Sequence, residues 1–154
     1  MSSDSLSYST ARWCAASVPE ALAHLCSAAG MARWNLGLWN CREVEPGLFT
    51  GMSLFDGAVG WVRVQTDQQL GQIDYWVGAD PQALVPRISA RVTAGEVLGY
   101  TEGGCVILLQ AWRTAGTPDA RWRRLAQTHD TEIDLICSQL AAGPSPAAVP
   151  AVSH

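Results

Sequence analysis

The stretch that decides the fold is AVGWVRVQTDQQLGQIDYWV, residues 58–77. Two runs alternate apolar and polar residues on either side of a polar segment, which is typical of a β-hairpin with one buried face. If Gln68-Gln69 forms a two-residue turn, Arg63 lies opposite Asp74. This register also keeps the apolar side chains of both strands together on the other face. They are Val62, Val64, Ile73, Tyr75 and Val77.

The two faces of this hairpin have different expected neighbours. We expect the apolar face to pack against a helix, which leaves Arg63 and Asp74 as a surface ion pair and places Trp61 opposite Trp76 on the same outer face. The reverse placement would turn Arg63 and Asp74 into a polar clamp inside the protein, and it is less favoured because buried charges are costly. An exposed Trp61–Trp76 pair would indicate a partner surface, for example a homodimer contact.

Strand and turn signals continue on both sides of the hairpin. Pro46-Gly47 and Asp56-Gly57 mark tight turns, and Asp80-Pro81 breaks the chain again. The predicted strands are residues 8–17, 38–45, 48–55, 58–66, 71–77, 85–93 and 104–113. Six of these strands follow one another with short connections, which predicts an antiparallel sheet.

Helical patterns flank the six strands. Pro19 and Glu20 begin a helix that runs to Ala29 and that Gly30 ends, and residues 31–36 form a second short helix or a turn. Pro118-Asp119 begins a long helix that reaches about residue 140. Its apolar side is formed by Trp122, Leu125, Ala126, Ile133, Ile136 and Leu140. Because a one-sided helix must bury that side, we predict an α+β fold with the helix on the sheet.

This order resembles the START/SRPBCC superfamily, the helix-grip fold that includes polyketide cyclase/dehydrase-like proteins. Three segments carry the resemblance, which covers roughly residues 8–140. They are WCAASVPEAL at 13–22, GQIDYWV at 71–77 followed by ARV at 90–92, and the helix at 121–140. The resemblance implies a curved seven-stranded sheet wrapped around the C-terminal helix, with two short helices after the first strand and a deep apolar cavity. It also implies small apolar ligands and, in some members, cyclisation or hydration, without a universal catalytic residue.

His129 is the titratable residue that the pattern places best. It follows Leu125 by four residues and precedes Ile133 by four, so it lies on the helix face that meets the sheet. There it is a candidate ligand-orienting group or general base, with Tyr75 as its partner for proton transfer. The alternative is a core histidine that forms a hydrogen bond with a backbone carbonyl or with Glu132. Glu132 itself flanks this helix face, where a solvent-exposed carboxylate is the simple interpretation.

Four further residues are candidates for ligand binding. Trp34 and Trp39 stand at the entry to the second strand, where the resemblance implies the cavity mouth; the alternative is a hydrophobic lid on the short helices. Gln110 and Trp112 share one face of the last strand, and a buried amide such as that of Gln110 must find a hydrogen-bond partner. The predicted ligand-binding set is Trp34, Trp39, Tyr75, Gln110, Trp112 and His129.

Composition and charge exclude several classes of function. The chain of 154 residues carries seven tryptophans and a formal net charge of −4, and all ten of its basic residues are arginines. An acidic chain without a basic stripe does not favour nucleic-acid binding. No zinc-binding spacing or glycine-rich phosphate loop occurs, so we predict no metal and no cofactor.

The cysteines and the chain ends predict the compartment and the domain limits. Five widely spaced cysteines without a CxxC pair argue against a disulfide framework and predict buried, reduced thiols. Reduced thiols and a polar start without a signal-peptide pattern predict a cytoplasmic protein with no membrane span. We predict a flexible segment at 1–7, a single domain at 8–142 and a disordered Pro/Ala-rich tail at 143–154.

Three hypotheses of function follow. The first is a binding protein that holds a small hydrophobic or aromatic molecule in an internal cavity. The second is a polyketide cyclase/dehydratase-like enzyme in which His129 and Tyr75 transfer protons. The third is a protein-interaction module, motivated by the Trp61–Trp76 pair. A filled cavity would exclude the first hypothesis, and a His129 side chain directed away from the cavity would exclude the second.

Overall fold

The computed structural model describes residues 5–143, which form seven strands, three α-helices and two 3₁₀ turns. The strands are β1 (Ser7–Cys14), β2 (Trp39–Glu45), β3 (Leu48–Met52), β4 (Val59–Asp67), β5 (Gln72–Gly78), β6 (Val85–Ala94) and β7 (Cys105–Trp112). The helices are α1 (Val18–Cys26), α2 (Ala28–Trp34) and α3 (Asp119–Ala142), and the 3₁₀ turns are Leu36–Leu38 and Gly95–Leu98. The predicted flexible start and disordered tail lie largely outside the described residues.

All seven strands belong to one antiparallel sheet in the order β1-β7-β6-β5-β4-β3-β2. Consecutive strands from β2 to β7 are neighbours, and β1 joins the β7 edge. The long helix α3 packs against β1 and β7 and against the two short helices that follow β1. This arrangement confirms the predicted α+β helix-grip fold.

The core lies between α3 and the inner face of the sheet. Apolar side chains of neighbouring strands form rows on this face; one such row runs through Ile73, Ala90 and Leu109. On α3 the side chains of Ile133 and Ile136 complete the same cluster, and all of them are almost fully buried. The helical period of α3 and the alternation of the strands therefore meet in one apolar layer.

The β4–β5 hairpin has a register two residues away from the predicted one. Arg63 pairs with Trp76 rather than Asp74, and Trp61 pairs with Gly78 rather than Trp76. The predicted Arg63–Asp74 ion pair and direct Trp61–Trp76 pairing are therefore wrong. Both tryptophans are also only partly exposed, so the hairpin does not present the exposed Trp pair that suggested a homodimer contact. A shift of two residues leaves every side chain on its face, so the apolar set still faces α3 as expected.

A longer turn is the physical reason for the shift. The ladder ends at Asp67 and resumes at Gln72, so four residues form the loop instead of two. The Asp67 carboxylate accepts the backbone N–H of Leu70 at 3.1 Å, which stabilises the wider loop. Gly71 adopts a positive φ of 65° close to the carbonyl of Val92, a place that a side chain would not fit.

The first helix ends earlier than the sequence predicts. Ser17 begins α1 with a capping box that it forms with Glu20, and Pro19 lies in the first turn as predicted. The helix ends at Cys26 rather than at Ala29, because the Ser27 side chain accepts the N–H of Gly30 and thereby begins α2. Gly30 lies inside α2 and permits a close approach to α1, since a Cβ there would lie 2.0 Å from the carbonyl oxygen of His24.

A disulfide bond joins Cys14 at the end of β1 to Cys137 in α3. The prediction of five reduced thiols is therefore wrong, and the argument for a cytoplasmic protein loses that premise. The two residues are 123 positions apart in sequence, but the fold brings their Cα atoms to 5.2 Å. Spacing along the chain carries no information about such a long-range contact. Cys26, Cys41 and Cys105 are free thiols.

Candidate functional site

A cavity of about 420 Å³ lies between the inner face of the sheet and α3. Its walls are mostly apolar and come from every layer of the fold, including α2, the strands β4 to β7 and α3. They include Trp34, Leu38, Val62, Tyr75, Val77 and Leu109. A space of this size with apolar walls matches the usual dimensions of small-molecule sites.

Tyr75 and Trp34 form one wall of the cavity. Their rings meet edge to face with centroids 6.1 Å apart. The Tyr75 hydroxyl donates to the carbonyl of Leu25 at 2.8 Å, and the Trp34 indole N–H donates to the carbonyl of His24 at 3.1 Å. Burial raises the pKa of Tyr75 well above its ordinary value. Both polar tips are thus satisfied by backbone, and the rings offer apolar surface.

His129 lines the same cavity from α3 and is only 3% exposed. Its Nδ1 is buried without a hydrogen-bond partner among the described residues, and its Nε2 lies 3.9 Å from the Glu132 carboxyl, too far for a hydrogen bond. Burial, helped by the positive charge of Arg87, lowers the pKa of His129 to about 4. The imidazole is therefore neutral near pH 7, and the ring is not the internally satisfied core histidine of the alternative interpretation.

Glu132, one turn further along α3, is also in the cavity wall and is 5% exposed. Its Oε2 accepts the backbone N–H of Leu36 at 3.1 Å. Burial raises the pKa of Glu132 from 4.5 to about 8, although the bond from Leu36 acts in the opposite direction. Glu132 is not a solvated flanking residue as the sequence suggests, but a carboxyl group that is mostly protonated at neutral pH.

Arg87 is a cavity residue that the sequence analysis missed. Tyr75 pairs with Ile88 and Val77 pairs with Val85, so a single β5 residue lies opposite both Pro86 and Arg87. Such a bulge re-aims side chains, and here it brings Arg87 into the cavity lining. The signal was present in the sequence, because apolar residues occupy odd position 85 but even positions 88, 90 and 92, with a proline in between.

Three predicted ligand-binding residues lie elsewhere. Gln110 and Trp112 alternate with the buried residues of β7 and therefore point to the outer face, where Trp112 is 50% exposed. The strand is almost wholly apolar, so its alternation did not show which face is inward. Trp39 lines a separate surface depression with Thr50, Met52 and Val59 rather than the cavity. Placing these three residues in the cavity is therefore wrong, whereas Trp34, Tyr75 and His129 do meet there.

The cavity mouth is formed by the β3–β4 loop and the first turns of α3. Phe55 in this loop lies under the guanidinium of Arg124, 4.8 Å from the ring centroid. Asp56 is fully exposed at the same rim, and the backbone N–H of Ala58 lowers the pKa of its carboxyl. A cation–π contact between loop and helix gives the mouth a defined position in the fold.

Within residues 5–143 no group of three or more His, Cys, Asp or Glu side chains is placed to hold a metal ion. None of the described helices combines the length and apolarity needed to cross a membrane. The polar groups of the cavity include the guanidinium of Arg87, the imidazole of His129 and the carboxyl of Glu132, which suit hydrogen bonding and proton transfer.

A seven-stranded antiparallel sheet that closes on a long C-terminal helix, with a cavity between them, is the helix-grip fold of START/SRPBCC proteins. Solved structures with this fold match most of the chain. The Aha1 dimer from Colwellia psychrerythraea is 12% identical, with a TM-score of 0.67 over 92% of this chain and 100% of that one. No protein-family model and no curated protein matches the sequence.

Two further structural neighbours have informative names. Ara h 8.0201 is 13% identical, with a TM-score of 0.60 over 89% of this chain and 98% of that one. The di-domain ARO/CYC BexL from the BE-7585A biosynthetic pathway is 16% identical, with a TM-score of 0.52 over 90% of this chain and 50% of that one. At such identities the likeness defines the fold and no more.

Proposed function

We propose that the protein binds a small, mainly apolar organic molecule in the cavity between the sheet and α3. The observation that carries this proposal is the cavity itself: about 420 Å³ of space with apolar walls and a few polar groups from Arg87, His129 and Glu132. A core that served stability alone would fill such a space, because voids cost packing energy. BexL is named an ARO/CYC protein of a biosynthetic pathway, which is in keeping with a small-molecule ligand for the same fold.

Native mass spectrometry of the purified protein tests this proposal directly. We expect a species heavier than the apo chain by the mass of one small organic molecule, which denaturation releases. The released molecule should be identified by tandem mass spectrometry. A spectrum with the apo mass alone leads to the next experiment, which supplies a ligand from outside.

A neutral fluorescent probe, 1-aminoanthracene, tests whether the cavity accepts an apolar molecule. We expect saturable fluorescence enhancement in the wild type and at least about a tenfold weaker Kd in Val77→Phe, which fills the cavity. Val97→Phe is the matched control, because Val97 is 75% exposed on a 3₁₀ turn and is not part of the cavity lining. Equal binding by all three proteins, or no binding by the wild type, would contradict the proposal.

A second candidate function is proton-transfer catalysis on the bound molecule. The observation that favours it is the neutral imidazole of His129, which lies 3.9 Å from a protonated carboxyl in an apolar cavity. Tyr75 was the predicted second catalytic residue, but its hydroxyl already donates to Leu25, so Glu132 is the better partner. If the ligand recovered from the protein gains deuterium from D₂O with the wild type and not with His129→Phe, this function is supported. The same exchange rate in both proteins would exclude it.

A further inference from the structure

Two buried polar atoms of the cavity have no partner in the protein. They are Arg87 Nε and His129 Nδ1, and among the described residues they are the buried side-chain nitrogens and oxygens without a hydrogen bond. Both residues line the cavity, one from the β6 bulge and the other from α3. Buried polar groups in folded proteins are nearly always satisfied, so two unsatisfied atoms at one cavity indicate a missing acceptor.

The charges around these atoms identify the kind of acceptor. A guanidinium stays protonated in proteins, and no carboxylate among residues 5–143 forms an ion pair with Arg87. Of the acidic groups nearest the cavity interior, Glu132 is mostly protonated, Asp130 accepts the Tyr8 hydroxyl at 2.7 Å, and Asp56 lies exposed at the mouth.

The other basic groups add to the positive charge. Arg121 and Arg124 belong to the same lining near the mouth, and His129 is neutral near pH 7. Burial lowers the pKa of Arg87, and the repulsion from Arg121 acts in the same direction. Asp56 lies near Arg121 and Arg124 and offsets part of their charge at the mouth, whereas the charge of Arg87 has no carboxylate partner among residues 5–143.

We propose that the ligand is an organic acid whose carboxylate binds between Arg87 and His129 while its apolar body packs against Trp34, Tyr75 and the aliphatic walls. This inference rests on the proposed function, because it names the class of molecule that the same cavity holds. The carboxylate supplies a negative charge for Arg87 and an acceptor for its Nε–H. A neutral imidazole with its proton on Nδ1 donates a second hydrogen bond. A planar guanidinium and a carboxylate match each other in geometry as well as in charge.

A matched pair of probes separates the acid from its neutral analogue. We would measure binding of 2-naphthoic acid and of 2-naphthamide by isothermal titration calorimetry at pH 7. The two compounds share one ring system and differ in the charge of one group. We expect the wild type to bind the acid at least about tenfold more tightly than the amide, as fits a charge-assisted hydrogen bond in a desolvated site.

Variants then assign the preference to Arg87. Arg87→Met should bind acid and amide with similar affinity, because it keeps the length of the side chain and loses the charge. Arg91→Met is the control, since Arg91 lies on the same strand, is exposed on the outer face and donates to the carbonyl of Leu70. It should keep the preference for the acid. Circular dichroism of both variants shows whether they are folded, and the wild-type comparison remains decisive without them.

Each outcome decides between the two proposals. Equal binding of acid and amide by the wild type, or an acid preference that persists in Arg87→Met, overturns the organic-acid inference and leaves the apolar binding site standing. If neither compound binds at about 1 mM and 1-aminoanthracene does not bind either, the cavity is no ligand site and both proposals fail.

Discussion

Glu132 shows how one buried carboxyl group can make stability depend on pH. In the folded protein its pKa lies at about 8 instead of 4.5, so the folded state holds a proton that the unfolded chain releases. The folded state thus binds more protons than the unfolded state between pH 4.5 and 8, and the free energy of unfolding falls as pH rises through this range. The loss is on the order of a few kcal/mol.

His129 acts in the opposite direction at lower pH. Its pKa is about 4 in the folded state and 6.5 ordinarily, so the unfolded chain binds the extra proton and the stability falls as pH drops from 6.5 to 4. Between pH 4.5 and 6.5 the two effects oppose each other in the wild type, so we predict that Glu132→Gln abolishes the loss above pH 6.5 and makes the His129 loss below it steeper. Thermal unfolding across the pH range measures both effects. Exposed Glu102→Gln is the control, and an unchanged alkaline decline in Glu132→Gln would contradict the burial argument.

Arg87 leads to a prediction about stability that differs from the usual effect of losing an arginine. Because Nε of Arg87 has no hydrogen-bond partner and its guanidinium forms no ion pair among residues 5–143, Arg87→Met removes a half-buried charge without breaking an ion pair. We predict that the free energy of unfolding rises by about 0.5–2 kcal/mol. Chemical denaturation measures this change.

Arg113 supplies the contrast for that measurement. Its Nη2 donates to the carbonyl of Thr117 at 2.7 Å and to Asp119 at 2.6 Å, so Arg113→Met should lower the free energy of unfolding by about 1–3 kcal/mol. If Arg87→Met destabilises the protein as much as Arg113→Met does, Arg87 has a structural role instead of a binding role.

At the scale of elements, the junction between α1 and α2 depends on the absence of a side chain at Gly30. A Cβ at this position would lie 2.0 Å from the backbone oxygen of His24, which cannot move without displacing α1. We predict that Gly30→Ala lowers the free energy of unfolding by about 2–4 kcal/mol. Gly37→Ala is the matched control, because the nearest atom to its added Cβ is the Asn35 side-chain oxygen at an ordinary 3.6 Å. Equal stability of the two variants in urea would show that the junction adapts.

The sequence predicts the strands and the long helix better than it predicts the turns that join them. Alternation and helical period predict all seven strands and the long helix, because burial of one face imposes those patterns on most of the chain. Turn length is harder to predict: the choice between two and four loop residues depends on the Asp67 side chain and on the approach of Gly71 to Val92, which belongs to another strand. Because side chains alternate every two residues along a strand, a register shift of two residues leaves each side chain on the same face of the sheet. The predicted faces of β4 and β5 were therefore right, and the predicted cross-strand pairs were wrong.

The candidate site was predictable only where a residue follows the regular period. His129 sits in phase with the apolar face of α3, and Tyr75 sits in phase with β5, so both were found. Arg87 was missed because a bulge shifts it out of the alternating pattern of β6. Gln110 was misplaced because β7 is apolar on both faces, so its sequence does not show which face is buried. Sequence patterns report which face is buried, whereas a cavity depends on how several faces fit together in space.

At the scale of the whole molecule, the Cys14–Cys137 bond ties an edge strand of the sheet to the helix that closes the cavity. It links positions 123 residues apart, so it restricts the unfolded chain over most of its length. We predict that the double variant Cys14→Ser, Cys137→Ser loses about 4 kcal/mol of the free energy of unfolding relative to the oxidised wild type. Cys26→Ser is the control, because this free thiol contacts only the Thr66 hydroxyl by hydrogen bonding and serine can replace it there.

Denaturation in guanidinium chloride, with and without a reductant, measures this contribution. The reductant should lower the midpoint of the wild type to that of the double variant and leave the double variant unchanged. Thiol titration of the unfolded wild type should find three reactive thiols before reduction and five after it. Five thiols before reduction would show that the bond is absent, and α3 would then be held on the sheet by the apolar layer around Ile133 and Ile136 and by polar contacts such as Tyr8–Asp130.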